Sequence, residues 1–159
     1  MVLSGSGYVG PKRTGRTWTR TVKAEDRPAH AKILIVDDVP ELRNVLAGYL
    51  ASCGHETSTA ADGMEALSVL RSQETHVLVT DFNMRRLDGI GLFKAVYEAG
   101  FALKGIVMMS GGQHPQQKEE FDRFIKEFSH PIPFIFMDKP LVADTLCEVI
   151  QSMLGATAR

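Results

Sequence analysis

The chain has 159 residues, of which 44% are hydrophobic and 23% are charged, and its formal net charge is −1. This length allows one domain with a substantial core and is too short for two domains of ordinary size. No apolar run approaches the ~20 residues that a membrane-spanning helix requires. The first residues also lack the apolar stretch of a secretory signal, so a cytoplasmic protein is expected.

Residues 1–30 differ in charge and composition from the rest of the chain. They contain six Lys or Arg residues and two acidic residues, a net charge of +4, which leaves −5 on the remainder. Gly, Ser, Thr and Arg are frequent and apolar periodicity is almost absent, so we expect a disordered basic arm. A solvated tail is the simpler interpretation, and an arm for an acidic partner, a membrane surface or a nucleic acid is the alternative.

From residue 32 onwards, apolar strands alternate with amphipathic helices. Ile33–Val36 is apolar throughout, which is typical of a strand that is buried on both faces. Pro40 is well placed to begin the first helix and Gly54 to end it. The inward face of this helix is expected to comprise Leu42, Val45, Leu46, Tyr49 and Leu50.

The next elements follow the same alternation. Residues 55–60 form a weak polar strand suited to a sheet edge, and Asp62-Gly63 precedes a short second helix. His76–Thr80 is the third strand and Gly89–Ala99 the third helix. The remaining elements in chain order are a strand at Ile106–Met109, a helix with the stripe Phe121, Phe124, Ile125 and Phe128, a strand at Ile132–Met137, and a last helix that opens at Pro140 with Val142, Leu146, Val149, Ile150 and Met153 inward.

Five strand–helix repeats predict an α/β fold with a doubly wound, five-stranded parallel sheet and helices on both faces, as in a flavodoxin-like three-layer sandwich. The strand order expected for five strands is 2-1-3-4-5, which places the polar residues 55–60 at an edge. Cys53 and Cys147 lack the spacing of a metal or redox motif. They are therefore expected to be two buried free thiols on helices.

Polar residues stand where the predicted strands end. Asp37 and Asp38 follow the first strand, Asp81 the third, Ser110 the fourth and Lys139 the fifth. The carboxyl ends of the strands meet at one edge of such a sheet, so these side chains are expected to converge. Three carboxylates would repel one another without a cation, and an oxygen-rich cluster suits Mg²⁺. An aspartate in this position can act as a nucleophile toward a phosphoryl donor.

Four short motifs occur in order at these strand ends. They are Val36-Asp37-Asp38; Asp81-Phe82-Asn83-Met84 with Leu87-Asp88-Gly89; Met109-Ser110-Gly111; and Asp138-Lys139-Pro140. Each motif alone is weak, but together they make residues 32 to about 154 resemble a bacterial two-component response-regulator receiver domain of the single-domain, chemotaxis-regulator type.

The resemblance implies roles for the residues of the acidic cluster. Asp81 would accept the phosphoryl group from a phosphohistidine donor. Asp37, Asp38, Asp81 and the main-chain carbonyl of Asn83 would hold Mg²⁺, with Asp38 the more direct ligand than Asp37. Lys139 would contact the phosphoryl group. Simple helix capping by the paired aspartates is the alternative.

The resemblance also implies a switch and partners. Ser110 would be the switch hydroxyl, and Phe136 would be the aromatic residue that changes rotamer with it. The alternatives are that Ser110 is an ordinary loop residue and that Phe136 only packs in the core. The donor would be a sensor histidine kinase or a histidine phosphotransfer protein. A downstream protein would bind the face formed by the fourth helix, fifth strand and fifth helix, and this face could also support a homodimer.

Some positions depart from the family pattern. Arg85 stands where most members have proline, and with Arg86 it forms a basic pair. The pair is either part of a solvated loop or a functional feature, namely an electrostatic gate or a docking point. The segment between Ser110 and Phe136 is longer than usual and strongly charged, and the simplest interpretation of the charges is the exposed face of the fourth helix. The resemblance implies that this face is the output surface. A changed partner or mode of signalling is therefore expected at this surface.

The sequence thus predicts a stand-alone response regulator with a basic arm at 1–30, a receiver at 31–156 and no output or DNA-binding domain. It would be no enzyme beyond its own phosphorylation and dephosphorylation. The alternative is a pseudo-receiver that acts as a constitutive protein-binding module. A phosphohydrolase is disfavoured because Asn83 stands where such enzymes need an acid, and a flavin module because the acidic crevice would repel FMN.

Overall fold

A five-stranded parallel sheet is the centre of the protein in a computed structural model that describes residues 12–14, 17–19, 30–112, 115–127 and 132–156. The strands are β1 (Lys12–Thr14), β2 (Thr17–Thr19), β3 (Lys32–Val36), β4 (Glu56–Ala60), β5 (Val77–Asp81), β6 (Gly105–Ser110) and β7 (Phe134–Asp138). The helices are α1 (Pro40–Ser52), α2 (Gly63–Ser72), α3 (Gly89–Ala99), α4 (Pro115–Glu127) and α5 (Ala143–Ala156). The sheet order β4-β3-β5-β6-β7 confirms the predicted 2-1-3-4-5 arrangement.

The core has two apolar clusters, one on each face of the sheet. Leu34 and Val36 of β3 belong to the cluster that is covered by α2, α3 and α4. Ile33 and Ile35 belong to the cluster that is covered by α1 and α5. Successive side chains of a strand point to opposite faces, so an unbroken apolar run is what a doubly covered strand requires. The three-layer arrangement predicted from the sequence is confirmed.

The helix termini fix the loops that surround the carboxyl edge of the sheet. The Asp62 side chain caps α2 by accepting a hydrogen bond of 2.9 Å from the main-chain N–H of Glu65. Asp88 caps α3 in the same way, at 2.8 Å from the N–H of Gly91. Such caps satisfy N–H groups that have no partner inside a helix. The loops after β4 and β5 are thereby held in defined positions.

Several element details differ from the sequence predictions. Val45 is 67% exposed rather than inward, because only the centre of the apolar stripe on α1 contacts the sheet. Val142 is 62% exposed because it precedes α5 instead of lying on its inner face. The prediction that Pro140 opens this helix is wrong, since α5 begins at Ala143. Before it, Lys139 still donates its main-chain N–H to the Ser110 carbonyl beside the sheet, at 2.7 Å.

The prediction for the two cysteines is wrong. Cys53 and Cys147 are joined in a disulfide across a sequence separation of 94 residues, and both are half-buried. The reason is that α1 and α5 cover the same face of the sheet. The spacing of the two residues along the chain cannot show this proximity.

The predicted arm at 1–30 contains a short hairpin. The strands β1 and β2 pair antiparallel, with Arg13 opposite Trp18. The disorder expected for the arm stays a prediction, because most of the arm lies outside the described residues, as does Phe128 of the predicted fourth-helix stripe. No helix in the described part of the chain has the length and apolar character needed to cross a membrane.

Candidate functional site

Three aspartates meet at the carboxyl edge of the sheet, between the ends of β3 and β5. Asp37 and Asp81 are buried, and Asp38 is half-buried. Each offers one carboxylate oxygen, and the three oxygens lie within 4.8 Å of one another. The structure therefore brings together the three acidic residues that the sequence singled out.

Lys139 reaches into this acidic cluster from the end of β7. Its Nζ atom lies 3.1 Å from Asp37 Oδ2 and 3.3 Å from Asp81 Oδ2. The lysine is placed there by the parallel pairing of β6 with β7, in which Ser110 is opposite Asp138. One ammonium against three carboxylates leaves the pocket negatively charged.

The pKa values of Asp81 and Lys139 reflect the close approach of these charged groups. Burial raises the pKa of Asp81 above 3.8, and the charge of Asp37 adds to the rise. Lys139 and a hydrogen bond from the main chain of Asn83 act in the opposite direction without cancelling the pKa shift. For Lys139, burial lowers the pKa, but hydrogen bonding to Asp37 and the charges of both aspartates outweigh it, so the pKa lies above 10.5.

Asp37 is fixed by the main chain around it. Its Oδ1 atom accepts a hydrogen bond of 2.8 Å from the N–H of Val39, while Oδ2 receives Lys139. Arg43 of α1 donates from Nη1 to the Asp37 carbonyl at 2.6 Å. Sequence reasoning missed Arg43, since an arginine in the first turns of an amphipathic helix gives no signal of this contact.

The donor set of the pocket fits a small hard cation. Carboxylate oxygens are the ligands that Mg²⁺ prefers, and Mg²⁺ retains several waters when few protein ligands are present. The buried negative charge left over after Lys139 gives a physical reason for a cation here. Asp38, less buried than Asp37, faces the cluster with its carboxylate, and Asn83 follows Asp81 by two residues in an exposed loop.

The two predicted switch residues flank a cavity beside the acidic cluster. Ser110 is half-buried, and its Oγ atom donates a hydrogen bond of 2.8 Å to the Gly112 carbonyl. The half-buried Phe136 ring lies edge-on to Phe121 of α4, with the centroids 4.8 Å apart. The cavity is lined by Phe82, Ser110, Gly112, Pro115, Lys118, Phe136 and Asp138, and its volume is ≈ 400 Å³.

The two arginines of the loop between β5 and α3, Arg85 and Arg86, have different surroundings. Arg85 is exposed. Arg86 adopts a left-handed backbone conformation, with φ 67°, and its Nη1 atom lies 3.1 Å from Asp62 Oδ2 at the start of α2. Arg86 thus ties the loop after Asp81 to the neighbouring helix, a contact that the sequence alone did not indicate.

Comparison with known proteins gives a consistent result. The family model described as response regulator receiver domain matches residues 33–128. The Escherichia coli K12 transcriptional regulatory protein GlrR is 29% identical over 132 residues, which are 83% of this chain and 28% of that protein. The chain therefore spans less than a third of the length of this curated relative.

Two further similarities concern part of a kinase and a solved structure. The sensor histidine kinase RcsC of Salmonella typhimurium is 37% identical over 83 residues, which are 52% of this chain and 9% of that protein. The solved structure of Vibrio cholerae chemotaxis protein CheY4 is 29% identical, with a TM-score of 0.66, covering 79% of this chain and 99% of that one. The same fold therefore recurs in proteins of different overall length.

Proposed function

The chain belongs to the response regulator receiver domain family, whose members are signalling modules of two-component systems, and we propose that it is a phosphorylation switch with Asp81 as acceptor. The observation that carries this proposal is the buried Asp81 carboxylate with Lys139 at 3.3 Å and two further aspartates beside it. Phosphorylation on aspartate is general for the family.

The residues of the pocket divide the chemistry of phosphoryl transfer between them. A carboxylate oxygen of Asp81 attacks phosphorus, the bond from phosphorus to the donor nitrogen breaks, and the donor imidazole keeps that electron pair. Lys139 stands within reach of both Asp81 and the incoming phosphoryl oxygens, where it offsets their charge. Asp37 holds Lys139 in position through its second oxygen.

We assign the cation ligands to Asp37, Asp38 and Asp81, together with the main-chain carbonyl of Asn83. Asp38 is the more available ligand because both Asp37 oxygens already accept hydrogen bonds, one from Val39 and one from Lys139. Bound Mg²⁺ would neutralise charge on the phosphoryl oxygens and on the acidic cluster. Receiver domains typically bind Mg²⁺ at such an acidic pocket.

The switch is proposed to begin at Ser110. Its hydroxyl donates to Gly112 in the structure, and a phosphoryl group on Asp81 would offer a stronger, charged acceptor. Turning toward that acceptor would release the Gly112 carbonyl and let the loop before α4 move. The packing of Phe136 on Phe121 would pass this movement to α4.

We propose that the output surface is the face formed by α4, β7 and α5. The phosphoryl donor is a histidine kinase or a histidine phosphotransfer protein, and a downstream protein reads the face. The exposed charges of α4, which include Lys118, Glu119, Glu120 and Asp122, set which partner fits. The stand-alone arrangement and a homodimer through this face stay predictions.

The experiment is intact-mass measurement after incubation with a small-molecule phosphodonor and Mg²⁺. Wild type should gain one phosphoryl group and Asp81→Asn none, because the amide is not a nucleophile at this position. Asp122→Asn, an exposed aspartate on α4, is the matched control and should behave as wild type. Addition to Asp81→Asn would place the acceptor elsewhere, and addition to no variant, with the fold intact, would favour a pseudo-receiver.

A further inference from the structure

The helices α1 and α5 lie side by side on one face of the sheet and are connected by a row of side-chain contacts. The Tyr49 hydroxyl donates to Asp144, and Cys53, the residue directly after α1, is joined to Cys147, one turn further along α5. Beyond them, His55 Nε2 lies 3.4 Å from the side-chain nitrogen of Gln151. Residues three and four apart share a helix face, so the row follows a continuous seam.

The sulfur pair in this seam is open to solvent. Cys53 and Cys147 are both half-buried, and together with Glu148 and Gln151 they line a shallow depression on the surface. A small disulfide or thiol can therefore approach the sulfur atoms. Attack along the sulfur–sulfur axis needs this access, which a fully buried structural disulfide does not offer.

The packing of α5 includes apolar burial in addition to the covalent bond. Leu146 and Ile150 are fully buried against the sheet, and Met153 is 4% exposed. These residues belong to the same apolar cluster as Leu46 and Leu50 of α1. We therefore expect apolar burial to keep the helix pair together after reduction, with the disulfide adding a restraint on one edge of α5.

We propose that Cys53 and Cys147 form an exchangeable disulfide whose oxidant is a small disulfide of the glutathione class, and that this bond restrains α5 against α1. One cysteine thiolate attacks glutathione disulfide, giving a mixed disulfide and releasing one glutathione thiolate. The second cysteine thiolate then attacks the protein sulfur of the mixed disulfide and releases the second glutathione. Two protein thiols lose two electrons and two protons, and one glutathione disulfide becomes two thiols.

The consequence for signalling rests on the proposed function. The helix α5 is one of the three elements assigned to the output face, and the disulfide ties its edge beside α1 to the end of that helix. In the oxidised protein α5 therefore has fewer positions available when the pocket is phosphorylated. Redox state would set how far the output face can rearrange.

The first test is alkylation of the full chain after equilibration in glutathione buffers that range from fully reduced to fully oxidised. Wild type should take up two alkyl groups at the reduced end and none at the oxidised end, as a monomer and reversibly. Cys53→Ser and Cys147→Ser should each keep one alkylatable thiol or carry one glutathione. Two free thiols at every ratio would overturn the proposal, and so would a disulfide that excess reduced glutathione cannot open.

The second test measures backbone hydrogen exchange of α5 in the two redox states. Oxidation should slow exchange across Ala143–Ala156 several-fold in wild type and leave it unchanged in Cys147→Ser. Equal exchange in both states of wild type would contradict the restraint. Neither readout uses phosphorylation, so a negative result at Asp81 would leave this result intact, and the reverse also holds.

Discussion

At the scale of single residues, the Asp81 carboxylate is buried, and this environment disfavours its negative charge. Its pKa is raised above 3.8, first by burial and then by Asp37, despite the nearby Lys139. A carboxyl group whose folded-state pKa is raised binds protons more tightly in the native than in the unfolded state. Its ionisation therefore lowers stability above the folded-state pKa, and this cost disappears as the pH falls toward 3.8.

We expect Asp81→Asn to be more stable than wild type at neutral pH in the absence of divalent cations. The amide keeps an oxygen for Lys139 but removes the charge, and a gain of about 1 kcal/mol would raise the Tm by about 2–4 °C in a chain of this size. Mg²⁺ should stabilise wild type more than Asp81→Asn. Thermal unfolding with Mg²⁺ and with a chelator measures both effects, and Asp122→Asn controls for the loss of one negative charge.

Arg86 is a second residue in an unfavourable environment, here because of its backbone conformation. Its backbone is left-handed, with φ 67°, a conformation that glycine adopts at much lower cost. Its guanidinium pairs with Asp62 at 3.1 Å, but the arginine side chain is 65% exposed, so the ion pair contributes little stability. The position is thus explained by the turn that the loop must make rather than by the ion pair.

Two substitutions at this position separate the backbone from the side chain. Arg86→Gly and Arg86→Ala both remove the ion pair, but only glycine relieves the left-handed strain, so the glycine variant should be more stable by roughly 1 kcal/mol. Denaturant unfolding measures the difference. At the neighbouring Arg85, which lacks a positive φ, glycine should be the less stable of the same two replacements. Equal stability of the two Arg86 variants would show that the left-handed backbone at this position is not strained.

At the scale of the elements, the approach of α3 to the end of β5 is close enough to exclude a side chain. A Cβ atom on Gly89 would lie 2.6 Å from the Asp81 carbonyl oxygen and 2.9 Å from Phe82 Cα. Both obstacles are main-chain atoms, which cannot move without displacing the strand end. The first residue of α3 therefore helps to set the position of the proposed phosphoryl acceptor.

Gly89→Ala is expected to lower stability by about 1–3 kcal/mol through overpacking. Because the collision falls on the main chain of Asp81, the rate of phosphorylation by a small-molecule donor should fall as well. Gly48, in the middle of α1, has open space around it, and a Cβ atom added there would meet no atom within 4 Å, so Gly48→Ala is the matched control. That control should gain about 0.5–1 kcal/mol from helix propensity and keep its phosphorylation rate.

The element scale also shows where sequence reasoning succeeds. Gly89–Ala99 has the predicted bounds because its cap, apolar stripe and terminal glycine are all local signals. Strands such as β3 and β5 are predictable because doubly covered strands have unbroken apolar runs, whereas the polar strand β4 fits only a sheet edge. The three aspartates and Lys139 were found because strand ends converge in this topology.

The features that were missed depend on contacts between distant parts of the chain. The exposure of Val45 depends on which part of the α1 stripe contacts the sheet, and the pairing of Cys53 with Cys147 depends on α1 and α5 sharing a face. The link from Arg86 to Asp62 joins two loops. Periodicity within one element carries no information about such pairings.

At the scale of the whole molecule, the chain separates into a basic N-terminal region and an acidic domain. Among the described residues, β1 and β2 pair only with each other, in a sheet separate from the five-stranded one. The pocket, the two apolar clusters and the seam between α1 and α5 are built from residues after 30. We propose that residues 31–156 are the receiver and that the basic region is a separate functional part.

Removal of residues 1–29 should leave the Tm within about 2 °C of the full chain, since burial within a domain sets its stability. The extent of phosphorylation on Asp81 should also be unchanged. Thermal unfolding and intact-mass measurement compare the two proteins side by side. A shortened chain that unfolds at a much lower temperature, or that binds Mg²⁺ differently, would show that the arm contacts the receiver.

The strand order has a consequence for how the protein is assembled during synthesis. The strands β3 and β4 are neighbours, and β5, β6 and β7 follow in chain order along one side of β3, so this order allows a chain leaving the ribosome to extend the sheet as each strand emerges. The acidic cluster is complete once β5 has docked, whereas Lys139 emerges only after β7. The strand that completes the sheet is therefore also the one that brings Lys139, the positive charge that contacts Asp37 and Asp81 in the folded protein.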